Sequence, residues 1–226
     1  MLSFCPVCKA PADSHNVICD DCRAELDSEC FDTFMDRCPV CFYPRVASLY
    51  SCRRCAQGPA KRIYPVARYD GKLSYSILDS FKFHGHKEMA KVIALYLSRA
   101  LSVLDPENKA LIVPIPCSSK RLSLLGWDPM VEVCKALRRP YECLLINSTT
   151  RDIQQKKLNR EQRIQASQGR YELNPKCTKT LEKLKDKPII VIDDVVTTMS
   201  TMNSAMDFLQ MQGFSDVSGA SWLCEL

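Results

Sequence analysis

Eight cysteines within the first 55 residues fall into four C-x2-C pairs: Cys5/Cys8, Cys19/Cys22, Cys38/Cys41 and Cys52/Cys55. Ten residues separate the first pair from the second, and ten separate the third from the fourth. CPVC opens both halves at an offset of 33 residues, so the segment is an internal repeat. Two thiols three apart on a tight knuckle can aim both sulfurs at one ion, and a second knuckle completes a tetrahedron of thiolates. Two separate knuckles per half favour zinc over the closer-set cysteine runs of iron–sulfur proteins, and eight thiolates hold two ions. Sequential pairing, one ion per repeat, is preferred; interleaved pairing of the first knuckle with the third stays open. Cys30, Cys117, Cys134, Cys143, Cys177, Cys224 and the three histidines show no ligand spacing.

A second constellation follows Pro188. Four aliphatic residues, 189–192, run into Asp193 and Asp194, and a hydroxyl-rich loop comes next: Thr197, Thr198, Met199, Ser200 and Thr201. An apolar strand ending in acids and feeding a helix fits a ligand crevice, because ligands bind outside the carboxyl ends of strands in open α/β sheets. The carboxylates can accept hydrogen bonds from the vicinal hydroxyls of a ribose. Loop amides and hydroxyls at a helix N-terminus suit a phosphate dianion.

The elements that must position these groups are legible from periodicity. Strands are expected at 63–69, 110–115, 144–146, 189–192 and 217–223. Helices are expected at 73–83, 88–104, 129–137, 178–185 and 200–213. The second of these helices places Met89, Val92, Ile93, Tyr96, Leu97, Ala100, Leu101 and Leu104 on one face over four turns. Alternating strands and helices predict a mostly parallel sheet covered on both faces. Residues 57–60 read as a linker, which divides the chain into a four-knuckle zinc-binding module (1–58) and an α/β domain (59–226). At 226 residues, 46% hydrophobic and 25% charged, the chain has the make-up of a folded domain rather than of a disordered or fibrous one. No apolar run is long enough to cross a membrane. The start of the chain has no basic, long-apolar leader, so a cytoplasmic location is expected, where clustered cysteines bind metal more often than they form disulfides.

The net charge of +5 hides a gradient. Residues 109–187 hold 17 Lys/Arg against 8 Asp/Glu, a net of +9, whereas 188–226 hold no Lys/Arg and 5 acids. The basic middle points to an anionic partner, either phosphate or nucleic acid. Its densest part carries Arg151, Lys156, Lys157, Arg160 and Arg163 with few aromatics nearby, a pattern suited to backbone contacts with single-stranded nucleic acid rather than to base readout.

The 188–201 motif resembles the phosphoribosyl pyrophosphate (PRPP) signature of type I phosphoribosyltransferases, with Met199 standing where that signature mostly carries glycine. Together with the N-terminal knuckles, the stretch YDGKLSYSILDSFKFHG, the V-P-I-P of 113–116 and IDDVVTT, the chain resembles the ComF family over nearly its whole length. Those are competence-associated proteins resembling phosphoribosyltransferases, with a zinc finger in front. The resemblance implies a type I phosphoribosyltransferase-like sheet and a PRPP-type site at Asp193, Asp194 and Thr197–Thr201. It also implies a pyrophosphate contact at the turn holding Lys120 and Arg121, with Mg2+ accompanying PRPP. Its implied role is the handling of incoming single-stranded DNA in natural transformation, with competence or DNA-uptake proteins as partners. A Mg2+-dependent phosphoribosyltransferase of nucleotide metabolism or salvage, and a zinc-bearing scaffold with a degenerate pocket, are the alternative readings. No residue stands out as a base for an acceptor.

Overall fold

The structure, a computed structural model, describes residues 3–12, 17–45, 52–56, 61–148, 170–177 and 181–225. In the cysteine-rich part, a ribbon of β1 (Ser3–Phe4) and β2 (Pro11–Ala12) precedes α1 (Asp20–Glu29). A second ribbon, β3 (Asp36–Arg37) with β4 (Pro44–Arg45), precedes the single turn α2 (Arg53–Ala56). The repeat legible in the sequence is therefore a structural one: knuckle ribbon, then helix, twice. Helix α1 has no apolar stripe to announce it. Its start is set by the Cys19/Cys22 knuckle, with Asp20 and Asp21 meeting the positive helix end.

The remainder is built on a four-stranded parallel sheet in the order β5 (Ile63–Arg68), β10 (Val217–Cys224), β9 (Ile189–Val196), β6 (Leu111–Pro114). Strands β9 and β10 are buried almost throughout, as continuous aliphatic runs in a doubly covered sheet must be. Between β5 and β6 run α3 (Lys72–Phe83) and α4 (Met89–Leu104). Between β6 and β9 come α5 (Ser119–Leu125), α6 (Pro129–Leu137), the strands β7 (Leu145–Asn147) and β8 (Tyr171–Leu173), and the short α7 (Leu181–Leu184). Helix α8 (Ser200–Met211) joins β9 to β10. Helices α3, α4 and α6 cover one face, packing Phe81, Tyr96, Leu97 and Val133 around Trp222 and Ile192; α8 covers the other, packing Met202, Met206 and Leu209 with Val191 and Phe214. This is the α/β architecture expected, a parallel sheet with helices on both faces preceded by a small cysteine module.

Two expectations are corrected. The strand expected at 144–146 is not in the main sheet: Leu145–Asn147 pairs antiparallel with Tyr171–Leu173 in a separate ribbon. The strand expected at 189–192 runs on to Val196, because it pairs with β10 as far as Cys224, so Asp193 and Asp194 lie within the ladder rather than beyond it.

The cysteine module is docked, not merely tethered. It covers the outer edge of β5: Cys30 bridges Ala67, Ile63 N–H donates to the Cys41 carbonyl at 3.0 Å, and Arg37 donates to the Pro65 carbonyl at 2.9 Å. The opposite edge is covered by residues 140–142, which exchange hydrogen bonds with Ile112. Neither edge is left as an open template for pairing. Helix α3 begins at Gly71, which has no capping side chain. Instead Glu29 at the end of α1 accepts from the N–H groups of Leu73 (2.9 Å) and Ser74 (2.8 Å). A Cβ at Gly71 would stand 2.5 Å from that carboxylate, so glycine is the residue that lets the cap from the module approach.

Candidate functional site

Two sets of thiols converge, and both are sequential pairings. Cys5, Cys8, Cys19 and Cys22 bring their sulfurs within 4.8 Å of one another, and so do Cys38, Cys41, Cys52 and Cys55. The Sγ separations are 3.5 Å for Cys8–Cys19, 3.7 Å for Cys38–Cys55 and 3.6 Å for Cys41–Cys52. The edge of a tetrahedron with Zn–S of about 2.3 Å is about 3.8 Å, whereas a disulfide holds its sulfurs at about 2.05 Å. Four thiols at these distances fit one tetrahedral ion per repeat, and interleaved pairing is excluded. The remaining cysteines stay outside both clusters. Cys30, for instance, is buried and donates to the Leu26 carbonyl.

The second site lies at the carboxyl ends of β6 and β9, which are neighbours in the sheet. The chain leaving β6 turns into α5 and then into α6 on one face; the chain leaving β9 turns into α8 on the other. A crevice opens where neighbouring connections diverge, the geometry used by ligand sites of open α/β sheets. Thr197 and Thr198 are exposed at its rim, and Ser200 and Thr201 form the first turn of α8. Lys120 and Arg121 lie on α5, whose N-terminus is capped by Ser118 accepting from the Arg121 N–H. The Arg121 guanidinium rests 5.1 Å over the Phe83 ring. Asp128 holds this side in shape: it accepts from Cys117 N–H at 2.9 Å and also caps α6.

Strand alternation sends the two acids to opposite faces. Asp194 turns toward α3, where Lys82 Nζ donates to its Oδ1 at 2.6 Å; the side chains are only 14% and 12% exposed. Asp193 turns toward α8 and β8, and its Oδ1 accepts from the Asp194 N–H at 2.9 Å. Opposite it in register stands Ser221, whose buried hydroxyl has no hydrogen-bond partner among the described residues; nor does the hydroxyl of Tyr171 nearby. Arg170 closes this side by donating to Thr201 Oγ1 at 3.0 Å. Burial and then the Asp194 charge push the Asp193 carboxyl up to about 8, against the pull of Lys82, the Asp194 N–H and Arg170.

That shift has a testable sign. The folded state holds the Asp193 proton that the unfolded chain releases near 3.8. The resulting stability is full below that value and is lost as pH rises through about 8. Asp193→Asn should therefore change stability little at pH 4 and raise it by several kcal/mol at pH 9, because above about 8 the wild type must bury a carboxylate short of partners. Urea melts at the two pH values measure this; equal effects at both would show that Asp193 is ionised throughout.

Residues outside the 188–201 motif turn out to shape the crevice. Lys82 and Arg170 supply its charge, and Asp128 and Asn147 fix the turn after β6, Asn147 donating to the Cys117 carbonyl at 2.8 Å. Lys82 stands within the stretch YDGKLSYSILDSFKFHG, and Asp128 carries a local signal, an Asp-Pro start to an apolar helix. Arg151, Lys156, Lys157, Arg160 and Arg163 lie outside the described residues. On the same edge of the sheet, Phe34, Arg68, Tyr69 and Glu225 line a further cavity of ≈470 Å3 between the cysteine module and the ends of β5 and β10.

Comparison with known proteins adds little. No family model matches the chain, and no curated protein does. Among solved structures, one described as the structure of the allosteric regulatory enzyme of purine biosynthesis overlaps 59% of this chain with 15% identity and a TM-score of 0.38. The overlap takes in 26% of that chain, so this protein spans about a quarter of the enzyme it overlaps. An overlap of that extent does not by itself assign a fold.

Proposed function

We propose that the crevice at the carboxyl ends of β6 and β9 binds a phosphorylated ribose of the PRPP type, with Mg2+, in a cytosolic ComF-like protein. One observation carries this: a strand with two acids near its carboxyl end feeds a hydroxyl-rich loop and a twelve-residue helix at the point where neighbouring connections diverge. In this reading Thr197, Thr198, Ser200 and Thr201 receive the 5′-phosphate, joined by Arg170. Lys120 and Arg121 face the diphosphate. Asp193 accepts from the ribose hydroxyls, while Asp194 is held by Lys82 beneath. The aromatic cavity beside β5 and β10 leaves room for a second molecule at the same edge. Mg·PRPP should raise the melting temperature of zinc-loaded protein, and Asp193→Asn and Arg170→Ala should reduce that shift. No shift in the wild type would sink the proposal. Release of pyrophosphate on adding candidate acceptors separates an enzyme from a binding scaffold.

Met199 gives the reading a finer test. It holds φ at +62°, the left-handed region that glycine favours, directly before α8. Met199→Gly relieves about 1–2 kcal/mol of local strain but loses partial packing and gains unfolded-state entropy, so its stability should stay within about 1 kcal/mol. Its Mg·PRPP affinity should increase, because the loop amides become more open to the phosphate. Unchanged or weaker binding would place the phosphate elsewhere.

Handling of single-stranded DNA is the proposed role around this site, resting on the +9 segment 109–187 and the sequence resemblance. Backbone contacts predict a steep salt dependence, with log K against log salt falling by about 0.7 per phosphate neutralised. Charge reversal at Arg151, Lys156, Lys157, Arg160 and Arg163 should flatten that slope; an unchanged slope removes this segment from the DNA path.

A further inference from the structure

Away from the sheet edge, α4 and α6 line a cavity of ≈550 Å3, and Val17 of the cysteine module stands in its wall. Its floor is aliphatic, made of Ala90, Ala94 and Leu95 from α4 and Ala136 and Leu137 from α6. Its rims are cationic. Lys87 and Lys91 stand along one side, Lys135 and Arg138 along the other, and all four are exposed. The one acid of the lining, Glu132, is engaged by Lys135 at 2.8 Å. Among the described residues neither Lys91 nor Arg138 has a carboxylate within ion-pair distance, although the chain has acids enough to supply one.

We infer that this groove is a docking site for an acidic amphipathic helix of a partner protein. Alanine at three of the five floor positions lets a helix axis approach toward the close end of the usual range of about 8–10 Å. A ligand helix with apolar residues at i, i+3, i+4 and i+7 would place them on that floor, the helix-in-groove mode of recognition. Its flanking Asp and Glu would then fall beside Lys87 and Lys91 on one rim and Lys135 and Arg138 on the other. The opposed sign of charge selects the partner and speeds its encounter. Nucleic acid suits the groove less well. An aliphatic floor offers no ring for a base to stack on, and Trp127 beside it lies under the Lys87 ammonium at 5.0 Å.

A display library of 18-residue helices, with apolar and flanking positions randomised together, tests this on the full zinc-loaded chain. Helices enriched on the wild type should carry net negative charge with apolar residues at the stated spacing. They should bind Lys91→Glu/Arg138→Glu at least tenfold more weakly. Ala136→Phe, which fills the floor without altering charge, should weaken them similarly. Zinc content and melting temperature of each variant establish that it is folded. Enrichment of basic or non-periodic sequences, no enrichment over a scrambled library, or indifference to the double reversal each overturns the inference. A labelled dT20 that binds the wild type and is lost on the double reversal, with no helix enriched, would make the groove a nucleic-acid surface instead.

Discussion

If zinc fills both tetrathiol clusters, a strong chelator is expected to release two ions per chain and to unfold the ribbons and helices of the cysteine module. Beside their cysteines, the described residues of this segment bury few large apolar side chains: Ile18, Leu26 and Phe31 are the main ones. A core that small cannot offset the entropy of ordering the chain, so the metal must supply the difference, and structural zinc contributes about 10–16 kcal/mol in comparable small modules. The consequence extends beyond the module. Losing it uncovers the edge of β5 and withdraws Glu29 from the start of α3, where an uncapped helix costs about 1 kcal/mol. Limited proteolysis should thus cut within the first 56 residues, and the remaining sheet should melt at lower temperature. Cys22→Ser should reproduce half of the metal loss, and Cys30→Ser none of it, since Cys30 lies outside both clusters. Two equivalents of zinc removed without new cleavage would refute the idea that metal holds the module together.

The second large effect is expected at Lys82. Its ion pair with Asp194 lies under the crevice, with both side chains nearly enclosed. Lys82→Met leaves a buried carboxylate with no counter-charge and should cost about 3–5 kcal/mol in urea denaturation. Asp194→Asn should cost less, because a lysine freed of its partner can extend its ammonium toward water along a flexible stem. Replacing both at once, as Lys82→Met with Asp194→Leu, should recover most of the loss, since a well-packed apolar pair can match a buried ionic one. Ligand binding would not recover with it if the charge below the crevice sets the orientation of the acids. A cost below about 1 kcal/mol for Lys82→Met would mean that the pair is solvated and contributes little.

Much of this was legible in the chain itself. The C-x2-C spacing is local chemistry: a knuckle needs only a few residues to aim two sulfurs, so the eight ligands and the duplication follow from sequence. The alternation of aliphatic strands with amphipathic helices announces a doubly covered parallel sheet, because each element must bury one face or both. The acids and hydroxyls of 193–201 stand together for the same reason, being neighbours along one strand and one turn.

What sequence could not decide was every relation between residues far apart in the chain. The choice of sequential over interleaved zinc pairing depends on how knuckles separated by tens of residues meet. The extension of β9 past its aliphatic run comes from the hydrogen bonds of β10, and it is this extension that turns Asp193 and Asp194 away from each other. Lys82 reaches Asp194 across 112 residues, and Glu29 caps a helix 44 residues further on. Local pattern fixes which groups can do chemistry, since spacing and propensity act within a few residues. Which of them are paired, buried or left open is set by packing, because only the folded sheet brings them within reach of one another.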